Sequence, residues 1–298
     1  MIIDELAGKI VVLTGASSGF GRGAALRFAE AGSTVILAAR RDQLLDELAE
    51  ECNNTEGQAL AVPTDVSRPE DVEALALETL DKFGHFDIWI NDAGVGAIGP
   101  FEKIPLADHT QVIETDLLGT LYGSYYAYRQ FLQQGSGILI NIASEVGKGA
   151  LPYYSSYTAA KHGVVGLGKS LRHELQLNHV EDVHVCTVMP TAFDTPFFEH
   201  AANYSGHEIE GDDPAHDPTM VIDTILNLAQ NPKDQKLVSA DGIVQVLLKT
   251  VAPAVAEKMD AKATHEEIVE APPAPKTSGA LRRPISRGTG IRGEKSKR

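Results

Sequence analysis

Thr14-Gly15-Ala16-Ser17-Ser18-Gly19-Phe20-Gly21 is the stretch on which the reading of this chain turns. Immediately before it, Lys9–Leu13 is short and β-branched, as a buried strand should be. Immediately after it, a helical pattern runs over 19–31. Glycines between a strand and a helix permit a tight turn, close approach of a pyrophosphate and close helix–strand packing. The helix N-terminus then offers unpaired N–H groups and the positive end of its dipole to phosphate. Gly15, Ser17, Ser18, Gly19, Phe20 and Gly21 are therefore the predicted phosphate cradle of a nucleotide site.

The next strand, Thr34–Ala39, says which nucleotide is expected. An NAD site carries an acidic residue about 20 residues past the glycines, and that carboxylate would repel a 2′-phosphate. Here Ala39 stands at the strand end, followed by Arg40 and Arg41, whose guanidiniums suit bidentate phosphate binding. The predicted cofactor is NADP(H).

Working outward, strands over Gln58–Val62, Phe86–Asn91, Gly137–Ala143 and Val183–Val188 alternate with helices near 42–52, 69–83, 106–133 and 155–179. That alternation implies one α/β, Rossmann-type fold: a doubly wound parallel sheet of about seven strands, with helices on both faces. Past residue 190 the rhythm loosens. Residues 193–217 read as a substrate loop with one short helix, in which Phe193, Phe197 and Phe198 either close over a substrate or anchor the loop. A helix near 218–230, a strand near Lys236–Ser239 and a helix near 242–259 complete a domain over 1–265. Residues 266–298, rich in Pro, Gly, Ser and Arg, read as a basic, disordered tail.

The chain has 298 residues and a net charge of −15. Residues 270–298 carry +6, so the rest carries −21. An acidic body disfavours nucleic acid, whereas the tail retains that option. Neither a secretory leader nor a run of ~20 apolar residues is visible, and a cytoplasmic protein without membrane contact is expected. Cys52 and Cys186 need no disulfide. None of the ten histidines has metal-ligand spacing, so no metal is predicted.

Ser144 follows the fifth strand at the edge where such sheets place their sites, and Tyr157 and Lys161 share one helix face four residues apart. A tyrosine hydroxyl titrates near ~10, too high for a base at neutral pH. A neighbouring ammonium favours the phenolate, so Lys161 is expected to lower the Tyr157 pKa and make it a general acid–base.

Taken together these residues resemble the short-chain dehydrogenase/reductase family over about residues 6–250. The shared motifs are Thr14 through Gly21, Asp65-Val66, Asn91-Asp92-Ala93-Gly94, Ser144, Tyr157 with Lys161, and Pro190 with Thr195. The resemblance implies hydride transfer between NADP(H) and a carbonyl or alcohol substrate. Ser144 would orient the carbonyl while Tyr157 gives its proton. It further implies that Asp65 and Val66 meet the adenine, that Asn91 braces the central strands, and that Ala93 and Gly94 line the nucleotide. Lys161 would hold the nicotinamide ribose and the Pro190–Thr195 segment the carboxamide, and the long helices would pair copies into a homodimer or homotetramer.

Three positions depart from the family. Asp92 replaces an asparagine, Thr191 a glycine, and Asp116 the asparagine of a proton relay, which it can still serve through its backbone carbonyl. The alternative these departures leave open is a catalytically impaired nucleotide-binding regulator of the same fold. It would bind cofactor without turning over any carbonyl. A third reading, a partner protein docking through its basic tail, predicts that truncation near Glu270 changes what the protein captures.

Overall fold

A computed structural model describes residues 5–209, 215–239 and 251–293. The sequence rhythm up to residue 190 becomes β1 (Ile10–Thr14), α1 (Gly19–Glu30), β2 (Thr34–Ala39), α2 (Asp42–Asn53), β3 (Gln58–Pro63), α3 (Pro69–Phe83) and β4 (Ile88–Asn91). A short strand β5 (Ala97–Ile98) follows, then α4 (Leu106–Ile113), α5 (Gly119–Gln134), β6 (Gly137–Ile142), α6 (Ser155–Leu177) and β7 (Val183–Pro190). Beyond it lie α7 (Phe197–His200), β8 (Ala202–Asn203), α8 (Thr219–Gln230), β9 (Gln235–Val238) and α9 (Pro253–Glu270).

Seven strands form one sheet in the order β3-β2-β1-β4-β6-β7-β9, and every pairing is parallel. The chain doubles back between β1 and β4, so the carboxyl ends of those two strands open a crevice. Alternate residues feed two apolar layers. Val11, Leu13, Val35, Leu37 and Ile90 face α1, α2 and α8, packing with Phe28, Leu45 and Ile225. Val12, Ile36, Trp89 and Leu139 face α3 and α5, packing with Leu75 and Phe131. This two-sided burial is why the strands show so little polar alternation. Gly84 and Gly135, at φ +77° and +85°, end α3 and α5 in the left-handed region, where L side chains are strained.

Two expected helices need correction. The predicted helix over 106–133 is α4 and α5 joined by a π-turn over Glu114–Leu118. Such turns insert one extra residue and concentrate at functional sites. The last helix is α9, later than the predicted 242–259, of which residues 242–250 lie outside the described residues.

The segment expected to be disordered is ordered over 271–293 and docks on the domain. Thr277 and Asn203 exchange backbone hydrogen bonds of 2.9 and 2.8 Å, and Leu281 is fully buried beside Ala97 and Ala202. Composition misled because this strap is held by backbone groups and ion pairs rather than by an apolar stripe. Arg282 pairs with the buried Asp108, and Arg292 with Asp217 at 2.5 Å. The basic strap thus lies on the acidic body.

Candidate active site

The carboxyl ends of β1, β2, β4, β6 and β7 surround a cavity of about 400 Å³. Of the predicted site residues, Gly15, Ser17, Ser18, Gly19, Phe20, Arg40, Arg41, Asp65, Val66, Ala93, Gly94, Ser144, Tyr157, Lys161, Pro190 and Thr195 line it. Gly21, Asn91 and Asp116 do not. Gly21 packs against the turn instead, where a Cβ would come within 2.5 Å of the Gly15 carbonyl oxygen. Asn91 is buried behind the cavity: it accepts from Trp89 Nε1 at 2.8 Å and donates to Asn141 at 2.8 Å. Because Asn91 and Asn141 are register partners on β4 and β6, this bond ties the two central strands together.

The glycine turn is shaped for a close-lying group. Gly15 sits at φ +78°, and a Cβ there would come within 2.7 Å of Ala93 N. Any side chain at that position would fill the floor of the crevice. Beside it, Arg41 donates to Ser17 Oγ at 3.0 Å and to Ser18 Oγ at 2.7 Å. Burial lowers the Arg41 pKa, and the nearby Arg40 and Arg22 lower it further. Arg40 is likewise lowered by burial, with Asp65 opposing. Crowded, partly desolvated guanidiniums are an electrostatic setting that an anion relieves. Asp65 spends one oxygen locally, on Ser67 N at 3.1 Å and Ser67 Oγ at 2.7 Å.

At the other end of the cavity the predicted catalytic residues converge. Ser144 follows β6, and its hydroxyl lies 3.4 Å from the Pro190 carbonyl and sits near enough to the Tyr157 hydroxyl to pull its pKa down. Lys161 Nζ, one helical turn from Tyr157, lies 5.5 Å from that ring centroid and donates to the Ile142 carbonyl at 3.1 Å. Behind it, the π-turn presents Asp116. One carboxylate oxygen accepts from Val95 N at 2.8 Å, and the other lies 3.4 Å from Lys161 Nζ. This ion pair is buried on both sides. Burial disfavours the charge on Lys161, but Asp116, Tyr157 and Asp92 outweigh it and hold the ammonium above its ordinary pKa.

The net direction of the Tyr157 shift differs from that expected from Lys161 alone. Burial pushes its pKa up and outweighs the opposing pull of Lys161, while Asp116 and Asp92 push the same way as burial. Asp92 keeps some exposure to the crevice, yet desolvation by the surrounding atoms drives its carboxyl up to about 8, against the pull of Lys161. Carboxylates that sequence reasoning treated as departures therefore shape the charge of the whole cluster.

The aromatic residues divide between the two roles left open. Phe193 is buried against Phe20 and His216, with ring centroids 5.7 and 5.5 Å away, and anchors the loop. Phe197 instead lies 5.3 Å from the Tyr157 ring and, with Phe198, lines the cavity. Tyr154, Leu151 and Val146 extend this apolar wall. Sequence reasoning missed Tyr154, which has Thr158 rather than a lysine four residues on, and the contributions of α9 and the strap, Thr264 and Ile285 among them. No local motif marks them.

Comparison with known proteins fits this geometry. The short chain dehydrogenase profile matches residues 9–204, and the chain belongs to that family of oxidoreductases, with its Rossmann-type nucleotide-binding fold. An uncharacterized oxidoreductase, YxnA of Bacillus subtilis, is 31% identical over 94% of this chain and 79% of its own length. A 3beta-hydroxysteroid dehydrogenase of Eggerthella lenta is 34% identical over 65% of this chain and 74% of its own. Among solved structures, a short chain dehydrogenase/reductase of Burkholderia phymatum in complex with NAD superposes with a TM-score of 0.75 at 26% identity, covering 84% of this chain and 96% of that one. An alcohol dehydrogenase of Thermococcus sibiricus complexed with 5-hydroxy-NADP gives 0.67 at 25% identity, covering 77% and 95%. Among the described residues no helix is long and apolar enough to cross a membrane, and no cluster could hold a metal ion.

Proposed function

We propose that this oxidoreductase reduces a carbonyl with NADPH, Tyr157 being the proton donor. The observation that carries the reading is the convergence of Ser144, Tyr157 and Lys161 at one end of a cavity whose other end is lined by the glycine turn and two arginines. Arg40 and Arg41 would take the 2′-phosphate and the first turn of α1 the pyrophosphate. Asp65 and Val66 would meet the adenine, and Lys161 the nicotinamide ribose. Pro190 and Thr195 would flank the carboxamide. The bound nucleotide would supply the hydride.

The chain's own residues do the rest. Ser144 orients the substrate oxygen by hydrogen bond. Tyr157, whose pKa is raised by burial, is a phenol at neutral pH and so begins the cycle as a donor. Lys161 stabilises the phenolate left behind, and Asp116, ion-paired to it, fixes where that ammonium sits. The wall of Val146, Leu151, Tyr154, Phe197 and Phe198 suits a carbonyl on an apolar framework. Exposed Leu106, Leu121, Tyr125 and Leu132 on α4 and α5 support a homodimer or homotetramer built on these helices.

A screen of ketones and aldehydes with NADPH and NADH tests this reading. Turnover is expected with NADPH, and Tyr157→Phe should lower it by about 10²–10⁴-fold while NADPH still binds. Turnover indifferent to Tyr157 would refute the assignment.

A further inference from the structure

The strap over residues 277–293 does more than cover the domain: it takes the donors that the nucleotide would use. Arg40 Nη2 donates to the Ala280 carbonyl at 2.5 Å, and Nη1 to that of Leu281 at 2.8 Å. Arg41 Nη1 reaches the Gly288 carbonyl at 3.4 Å. At the start of α1, Gly19 N donates to the Gly290 carbonyl at 3.0 Å. Four backbone oxygens thus stand where a 2′-phosphate and a pyrophosphate would place theirs. Pro284 and Ile285, between these contacts, line the cavity mouth.

We propose that this segment is an intramolecular competitor for the nucleotide cleft, displaced when NADP(H) binds. The inference rests on the nucleotide reading above. Strap and cofactor cannot share Arg40, Arg41 and Gly19 N. The exchange favours the ligand, because a phosphate dianion adds full charge–charge attraction and bidentate geometry that a neutral carbonyl lacks. Differential affinity of this kind is what allows a ligand to shift an equilibrium between closed and open forms.

The strap's construction suits displacement. Its second half is anchored by polar contacts near the surface: Arg292 to Asp217 at 2.5 Å and to Asp194 at 3.7 Å, Gly293 N to Asp194 at 3.1 Å, and the Arg287 carbonyl to His200 at 3.1 Å. Gly288, at φ +66°, lets the backbone pass within contact of His200 and Pro196, where a Cβ would come within 2.6 Å of His200 Nε2. The first half is held more firmly, by Leu281 and the Arg282–Asp108 pair, and serves as the hinge side, so there the Arg40 side chain swings from the Ala280 and Leu281 carbonyls to the phosphate.

Hydrogen exchange on the full chain, with and without saturating NADPH, reads the strap directly. The Gly293 amide, which donates to Asp194, should exchange at least about tenfold faster with NADPH, as expected if a closed form gives way to an open one. Unchanged or slower exchange would overturn the proposal, the latter meaning that the strap clamps onto the cofactor. In parallel, Arg292→Ala should tighten NADPH binding by about two- to fivefold in a fluorescence titration, the scale of an exposed ion pair. Unchanged or weakened binding in that variant would also count against it. If neither NADPH nor NADH binds wild type or variant, the nucleotide reading itself fails. If NADPH binds while the Gly293 amide stays protected, only the competition fails.

Discussion

Residues 10–190 and residues 271–293 meet at the same cavity, yet they are held in place by different forces. The first region is a parallel sheet sealed by two apolar layers, with residues such as Val12, Leu13 and Phe28 wholly inaccessible to water. The second buries only the Ala280 and Leu281 side chains, packs Ile291 partly against the core, and otherwise relies on carbonyl acceptors and arginine–aspartate pairs. Burial is worth about 25 cal/mol per Å² of apolar surface, whereas exposed ion pairs are worth about 0–1 kcal/mol. Such a division fixes the chemistry and leaves access to it adjustable, since segments that open locally come from the weakly held end.

Substitutions in each region can break or sharpen that contrast. Phe28→Ala in the first should cost about 3–5 kcal/mol in denaturant unfolding. Leu281→Ala should instead speed hydrogen exchange over 277–282 while lowering global stability by less than the about 2–5 kcal/mol of a core leucine. Equal global costs for the two would mean that the strap belongs to the same cooperative unit.

A subtler contrast concerns Asp92, inside the first region but facing the crevice. Its carboxyl titrates near 8 in the folded chain, against about 3.9 when unfolded. Between those values the folded state holds a proton that the unfolded state has lost, so the group erodes stability as pH rises from about 4 to 8. The slope is at most about 1.4 kcal/mol per pH unit. Asp92→Asn should remove that erosion, so the difference in Tm between variant and wild type should widen from pH 5 to pH 8. A pH-independent difference would assign the effect to packing. Smallest of all, Arg292→Ala should change global stability by less than about 1 kcal/mol, because Arg292 and Asp217 are exposed and only Asp194 is part-buried.

Much of the first region was legible from local signals. The glycine turn announced the crevice, strand composition announced two-sided burial, and the spacing of Tyr157 and Lys161 put both on one face of α6. What stayed hidden depended on contacts distant in sequence. A two-residue pairing such as β5 with β8 leaves no periodicity to read. The π-turn that brings Asp116 to Lys161 breaks a helix whose apolar pattern continues through it. The direction of the Tyr157 shift followed from burial and from two carboxylates on other elements, which no spacing around Tyr157 reveals. The strap was invisible for a related reason: Arg40 recognises the backbone of Ala280 and Leu281, and backbone carbonyls carry no sequence signature.

The most direct test of the central claim is the pH profile of kcat/KM for carbonyl reduction by NADPH. With Tyr157 a buried phenol whose pKa lies above the ordinary tyrosine value, the rate should stay level through about pH 9 and fall only at higher pH. A decline centred near pH 7 would contradict the account, because it would mean that the donor is already losing its proton where the structure keeps it neutral.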